Sequence, residues 1–279
     1  MSELVTDVMV NGRWPLTLPK HRVGHWRDNP VWEPERLASM RRNLHPGMVV
    51  WDIGAEQGDL SALYATWVRG CTDTTCPCQD GDSCHYEDAR LPSGEISEAS
   101  ERPPGWQRGG VVLVEPAPWY WPTIRETFEA NHLRPPLGAA CGFVSDVADP
   151  DRHLVLHGWA DEAKGESTGF QAFQSVIGAT TRRTTLDAMA EHLPCDAISM
   201  DIEGAEYLAM RGAHRILSEL RPLIWISVHA EAMFNDHGVY QAEFHSMLHQ
   251  HGYEKFLLGF DHELHVFYWP SERADEVAP

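Results

Sequence analysis

Three short apolar runs in this chain end in an acidic side chain and pass directly into a turn: Asp52, Glu115 and Asp201 close them. The first reads Val49-Val50-Trp51-Asp52-Ile53-Gly54-Ala55-Glu56-Gln57-Gly58-Asp59-Leu60, and Leu60, Leu63, Tyr64 and Trp67 then recur at helical spacing. Strand, glycine turn and helix in that order form the first crossover of a doubly wound α/β domain. Its turn lies at the carboxyl end of the sheet, beside the free N–H groups of a helix start. A dinucleotide site needs G-x-G-x-x-G to cradle a pyrophosphate; here an acid precedes G-x-x-x-G and would repel phosphate. Asp52 suits a cationic group instead, such as the amino end of S-adenosylmethionine. The plain alternative is a strand-turn-helix with no ligand.

Val111-Val112-Leu113-Val114-Glu115-Pro116 repeats the arrangement, with Trp121, Ile124 and Phe128 marking the helix beyond. A carboxylate at such a strand end can accept hydrogen bonds from both hydroxyls of a ribose. The simpler reading of Glu115 is a solvated strand-end residue. The third passage is Asp196 to Glu206, which includes Met200-Asp201-Ile202-Glu203-Gly204-Ala205-Glu206, followed by apolar residues at helical spacing from Leu208 to Leu220. A further buried run, Leu223 to Val228, ends at His229. An alcohol does not ionise at neutral pH, so a base within reach is useful to any group transfer onto oxygen. Asp201 and His229 are the two strand-end candidates. Asp201 can equally orient the loop or a cofactor, and Glu203 and Glu206 can serve as favourable charges at a helix N-terminus.

Together, Trp51-Asp52-Ile53-Gly54-Ala55 with Gly58, Val114-Glu115-Pro116, Thr185-Leu186-Asp187 and Asp201-Ile202-Glu203-Gly204-Ala205-Glu206 resemble the FkbM family of S-adenosylmethionine-dependent methyltransferases over roughly residues 47 to 269. The resemblance implies a class I methyltransferase fold: a doubly wound, Rossmann-like, mostly parallel sheet with a C-terminal antiparallel edge hairpin. It also implies methyl transfer to a hydroxyl of a small molecule or glycan. The expected cofactor contacts are Asp52, Gly54, Ala55, Glu56, Gly58, Glu115, Pro116, Asp146 and Asp201, with Asp201 and His229 as catalytic candidates and no metal ligand assigned. Glu56 stands where the family usually has an asparagine-like residue, and the stretch between the first helix and Val111 is longer than the family needs. Two other classes stay open at this stage: a non-catalytic binding or assembly protein on the same fold, and a nicotinamide-dependent oxidoreductase.

The supporting elements follow from pattern. Residues 1–46 read as an accessory hairpin around Asn11-Gly12 and a helix opened by Pro34. The catalytic domain runs over 47–270, with residues 141–146 as the third strand, Leu154–Leu156 as another short strand and 254–260 with 262–269 as the closing hairpin. The acidic tail 271–279 is expected to fray.

Residues 70–109 form an insertion of Asp, Thr, Gly, Ser and Pro that cannot bury a core. Its Cys71, Cys76, Cys78 and Cys84 follow C-x4-C-x-C-x5-C without the paired C-x-x-C of zinc knuckles. Reduced thiols, a structural zinc and disulfides are the three readings, with zinc not favoured. Cys141 and Cys195 sit in apolar contexts and read as packing residues.

With 41 acids against 22 bases the net charge is −19, which disfavours a nucleic-acid partner. No 18-residue apolar run exists, so no membrane partner is expected, and the chain reads as cytoplasmic. The sequence leaves the oligomeric state and the acceptor open.

Overall fold

The computed structural model describes residues 3–69, 109–149, 154–156, 158–159 and 182–279. The cysteine insertion, with its zinc, thiol and disulfide readings, lies outside the described residues. So does the stretch 160–175, expected as a polar loop.

The chain opens with a hairpin, β1 (Leu4–Val10) and β2 (Trp14–Pro19), whose turn residues Asn11 and Gly12 both take positive φ. Helices α1 (Lys20–Asp28) and α2 (Pro34–Asn43) follow. The sheet then begins with β3 (Val49–Ile53), helix α3 (Asp59–Val68), β4 (Gly110–Val114), helix α4 (Trp121–Ala130) and β5 (Gly138–Ala140). Beyond it come the short β6 (Phe143–Val144), β7 (Leu154–Leu156) and β8 (Arg183–Thr184), then β9 (Ala197–Met200), β10 (Leu223–Val228), β11 (Tyr253–Phe260) and β12 (Leu264–Pro270).

The main sheet has eight strands in the order β11-β12-β10-β9-β3-β4-β5-β7. Pairings from β10 through β5 are parallel, whereas β12 runs against both β10 and β11. β11 therefore points the same way as β10, with one reversed strand between them. This order, reversing direction outward from β3 and inserting the last strand before the edge, is that of a class I methyltransferase fold. β7 adds an antiparallel edge beyond β5.

β3, β9 and β10 are buried along their whole length, as expected where helices cover both faces of a parallel sheet. Alternation divides the layers: Val49, Trp51 and Ile53 face the side that carries the helices Leu186–Ala190 and Gln241–Gln250, while Val50 faces α1 to α4.

Three sequence expectations are corrected, and two helices lie where the sequence reading has none. The third strand is Gly138–Ala140, not 141–146; small residues give it no β-propensity signal, and Phe143–Val144 pairs separately with β8. The helix after Glu206 breaks at Arg211 and resumes as a π-helical Ile216–Leu220, because Gly212 packs so closely that a Cβ there would stand 2.2 Å from the Ser145 carbonyl oxygen. Helices α1 and Ala230–His237 carry no clean apolar period and escape sequence patterning. The tail does not fray: Asn43 exchanges two side-chain hydrogen bonds with the Ala278 backbone, at 2.8 and 2.9 Å, and Arg42 donates to the Pro279 carbonyl.

Candidate functional site

The carboxyl ends of β3, β4 and β9 are laced together before any ligand is considered. The N–H groups of Gly54 and Ala55 donate to the Val114 carbonyl, and that of Asp201 donates to the Ile53 carbonyl. Gly54 takes φ +90°, and a Cβ there would lie 1.9 Å from the Asp201 carbonyl oxygen. Its lack of a side chain thus lets two loops touch. Gly58, at φ +80°, starts α3, and its Cβ position is closed by Ile124.

Asp52 is buried and accepts a hydrogen bond from the Ser61 hydroxyl; burial raises its pKa to about 6, against the pull of that bond and of Arg36. Glu115 is buried as well. Its two oxygens each accept one backbone N–H, from Glu56 at 2.8 Å and from Ala117 at 2.7 Å. Desolvation nevertheless outweighs these bonds and raises its pKa to about 8. Each oxygen keeps a second lone pair for a ligand.

At the end of β9, Glu203 and Gly204 both take positive φ, and the turn brings Glu206 back into the protein. Glu206 has no exposed surface; its Oε1 accepts the Gly204 N–H at 3.1 Å and the Nδ1–H of His229 at 2.9 Å. The Nε2 of His229 faces Glu263 at 2.8 Å, Glu203 at 3.4 Å and Asp201 at 3.7 Å. Burial opposes charge on the ring, but the hydrogen bonds to Glu206 and Glu263 prevail and raise its pKa to about 11. Asp201 moves the opposite way from a paired acid. Burial and the Glu263 charge lift its pKa to about 8, despite Arg36 and His229.

These strand ends border a cavity of about 430 Å³, within the ~300–1,000 Å³ typical of small-molecule sites. Asp52, Gly54, Ala55, Glu56, Gly58, Glu115, Pro116 and Asp201 all line it. Asp146 does not; it pairs with Arg211 at 3.3 Å, and Phe143 and Val144 take the neighbouring wall. His229 is also absent from the lining and stands behind Asp201 and Glu203. Sequence reasoning missed the opposite wall, to which α1, α2 and their connection contribute Arg22, His25, Trp26, Trp32, Glu33 and Arg36. The only signal there is an unusual density of tryptophan, histidine and arginine between residues 20 and 36.

The donor set fits an aminoacyl-nucleoside cofactor: buried acids at adjacent strand ends, one already oriented by backbone N–H groups, and a buried Arg36 whose Nε has no hydrogen-bond partner. Strand order and site together define a class I S-adenosylmethionine-dependent methyltransferase. The Methyltransferase FkbM domain matches residues 82–255, more than half of the sequence, and the chain belongs to that family.

No curated protein matches the chain. Among solved structures, it is similar to a precorrin-6y C5,15-methyltransferase from Geobacter metallireducens GS-15 (11% identity, TM-score 0.42, 84% of this chain and 87% of that one). It is also similar to a methyltransferase FkbM from Methylobacillus flagellatus KT (14% identity, TM-score 0.42, 90% and 62%). A third is a TehB-like SAM-dependent methyltransferase from Corynebacterium glutamicum ATCC 13032 Kitasato (12% identity, TM-score 0.40, 90% and 96%). Among the described residues, no helix is long and apolar enough to cross a membrane.

Proposed function

We propose that the protein transfers a methyl group from S-adenosylmethionine to a hydroxyl of a small molecule or glycan, with Asp201 receiving the hydroxyl proton. The observation that carries this reading is the Asp201 carboxyl, which lines the cavity with its pKa raised by burial to about 8. A base acts best when its pKa lies near the working pH. Bound cofactor supplies an activated methyl on a sulfonium, so the protein has to align the nucleophile and take up its proton.

In this reading Glu115 accepts hydrogen bonds from the ribose hydroxyls, and Pro116 borders the same end of the cavity. The loop Gly54 to Gly58 borders the methionine half, and Asp52 answers its ammonium group. His229, charged and outside the lining, holds Asp201 and Glu203 in place rather than accepting a proton itself. The free Cys141 and Cys195 fit a reducing compartment and support cytoplasmic residence.

The test is incubation of the protein with cell extract and S-adenosylmethionine labelled at the methyl group. Label in a small-molecule or glycan fraction, stable to mild alkali as an ether should be, supports the reading. Label on protein or nucleic acid, or label released by alkali, overturns it.

A further inference from the structure

We infer that Arg36 grips the carboxylate of the cofactor's methionine end, which makes α2 a working part of the cofactor site. The inference rests on S-adenosylmethionine being the ligand of this cavity. That ligand ends in a zwitterion, and the acid Asp52 can answer only its ammonium half. Its carboxylate needs hydrogen-bond donors, and a cation is the strongest kind.

Among the described residues the cavity offers three basic side chains, Arg22, His25 and Arg36, and no lysine. Burial, with Arg22 beside it, lowers the pKa of His25 and leaves the ring neutral at pH 7. Arg22 is committed elsewhere: its Nε and Nη2 both reach Asp59 Oδ2, at 3.0 and 2.9 Å, and the Trp26 indole donates to the same oxygen. Arg36 is only 2% exposed. Its Nη1 pairs with Glu33 and its Nη2 donates to the Ser199 hydroxyl at 2.8 Å, while its Nε is buried without a hydrogen-bond partner.

A guanidinium has five N–H donors in one plane, and a buried donor left without an acceptor is costly. A ligand carboxylate entering from the cavity would meet that need with a charge-assisted bond. Ser199 places Arg36 on β9, in register with Asp52 of β3, so the cation and the acid facing the two halves of the zwitterion stand on neighbouring strands side by side. The residue lies far outside the 82–255 family match, in the segment whose sequence alone reads as accessory.

Calorimetry tests this with three probes: S-adenosylhomocysteine, its decarboxylated analogue, and 5′-methylthioadenosine, which lacks the whole amino-acid tail. The unmodified protein should bind the decarboxylated analogue roughly 10- to 100-fold more weakly than S-adenosylhomocysteine, the span of a charge-assisted hydrogen bond. Arg36→Lys, and Arg36→Met combined with Glu33→Gln so that no buried acid is left unpaired, should lose a similar factor for S-adenosylhomocysteine. Both should keep 5′-methylthioadenosine affinity within about twofold.

Equal binding of the first two probes by the unmodified protein overturns the inference, and that measurement needs no variant to fold. Equal losses for all probes in the variants overturn it too, since they mark Arg36 as a brace between α2 and β9. If the unmodified protein binds none of the three, the cofactor reading falls and this inference with it.

Discussion

The ring of His229 donates its Nδ1 proton to Glu206, a carboxylate with no exposed surface, at 2.9 Å, and its other nitrogen faces Glu263 at 2.8 Å. A histidine held this way keeps its proton through neutral pH, with a pKa raised to about 11. If Asp201 is the base, as proposed, the two side chains should separate in kinetics. With the ionised carboxylate as the acceptor, the transfer rate should rise with pH through about 8, the pKa of Asp201 in the folded protein. That limb should persist in His229→Gln and vanish in Asp201→Asn, whose rate should fall roughly 100- to 10,000-fold. A pH–rate profile of the three proteins decides between them.

Gly54→Ala should destabilise the protein by about 2–4 kcal/mol, since the new Cβ meets the Asp201 carbonyl at a backbone φ that only glycine adopts freely. Chemical unfolding measures the loss directly. Gly238→Ala, at φ +68° with open space around it, should cost clearly less and provides the control.

Glu115→Ala should weaken S-adenosylmethionine binding by about 1.5–3 kcal/mol, the worth of hydroxyl hydrogen bonds donated to a desolvated carboxylate. Glu115→Gln should weaken binding as well, because its amide NH2 would face one of the two backbone N–H groups that the Glu115 oxygens accept. Unchanged affinity in the alanine variant would remove Glu115 from the site.

Stability should depend on pH in a direction set by several groups at once. Glu115 and Asp201 have folded pKa values near 8, above their unfolded values, so the folded state holds extra protons between about pH 4.5 and 8 and loses stability as pH rises through that window. His229 extends the same trend from about pH 6.5 upward. Below pH 6.5 the sign is opposed by His245, whose pKa burial depresses to about 4. The unfolding temperature of the ligand-free protein should therefore fall from pH 6.5 to pH 9. Glu115→Gln should flatten that fall; an identical slope would show that Glu115 does not titrate there.

The ends of the cysteine insertion meet in the fold: a Cβ on Gly109 would lie 2.0 Å from the Val68 carbonyl oxygen. Joining Arg69 to Gly109 through a short glycine linker should then preserve the sheet and leave S-adenosylmethionine affinity within a few-fold. Loss of folding would show that the insertion supports the domain. Elemental analysis of the parent protein checks the zinc reading separately, and a metal content near zero would remove it.

Much of the sheet was legible because β3, β4, β9 and β10 announce themselves as continuous apolar runs that end in acids or histidine. The acids Asp52, Glu115 and Asp201 do reach one cavity, as strand ends at adjacent positions must. Asp146 is misplaced for the same reason as β5: Gly138-Ala139-Ala140 carries no β-branched or aromatic residue, and the apolar Phe143-Val144 draws the expected strand past its true end. Nothing local announced the protonation of His229, because three of its four carboxylate neighbours come from the Asp201–Glu206 turn and the fourth, Glu263, from the loop before β12. The N-terminal wall was missed because its lining residues lie on helices whose apolar spacing is weak. Trp32, moreover, is fixed from afar by two backbone hydrogen bonds to the side chain of Asn11.

The preponderance of carboxyl groups around the cavity bears on how a catalytic cycle ends. Glu33, Asp52, Glu56, Asp59, Glu115, Asp201 and Glu203 border it against Arg22 and Arg36, and each arginine is already paired, with Asp59 and Glu33 respectively. Methyl transfer removes the sulfonium charge and leaves a neutral thioether, so every ionised acid attracts the reactant more than the spent molecule. Comparing S-adenosylmethionine with S-adenosylhomocysteine at low and high salt would reveal that difference as a preference for the charged ligand that salt diminishes. The loss of that one charge thus weakens the hold of the site on the spent molecule.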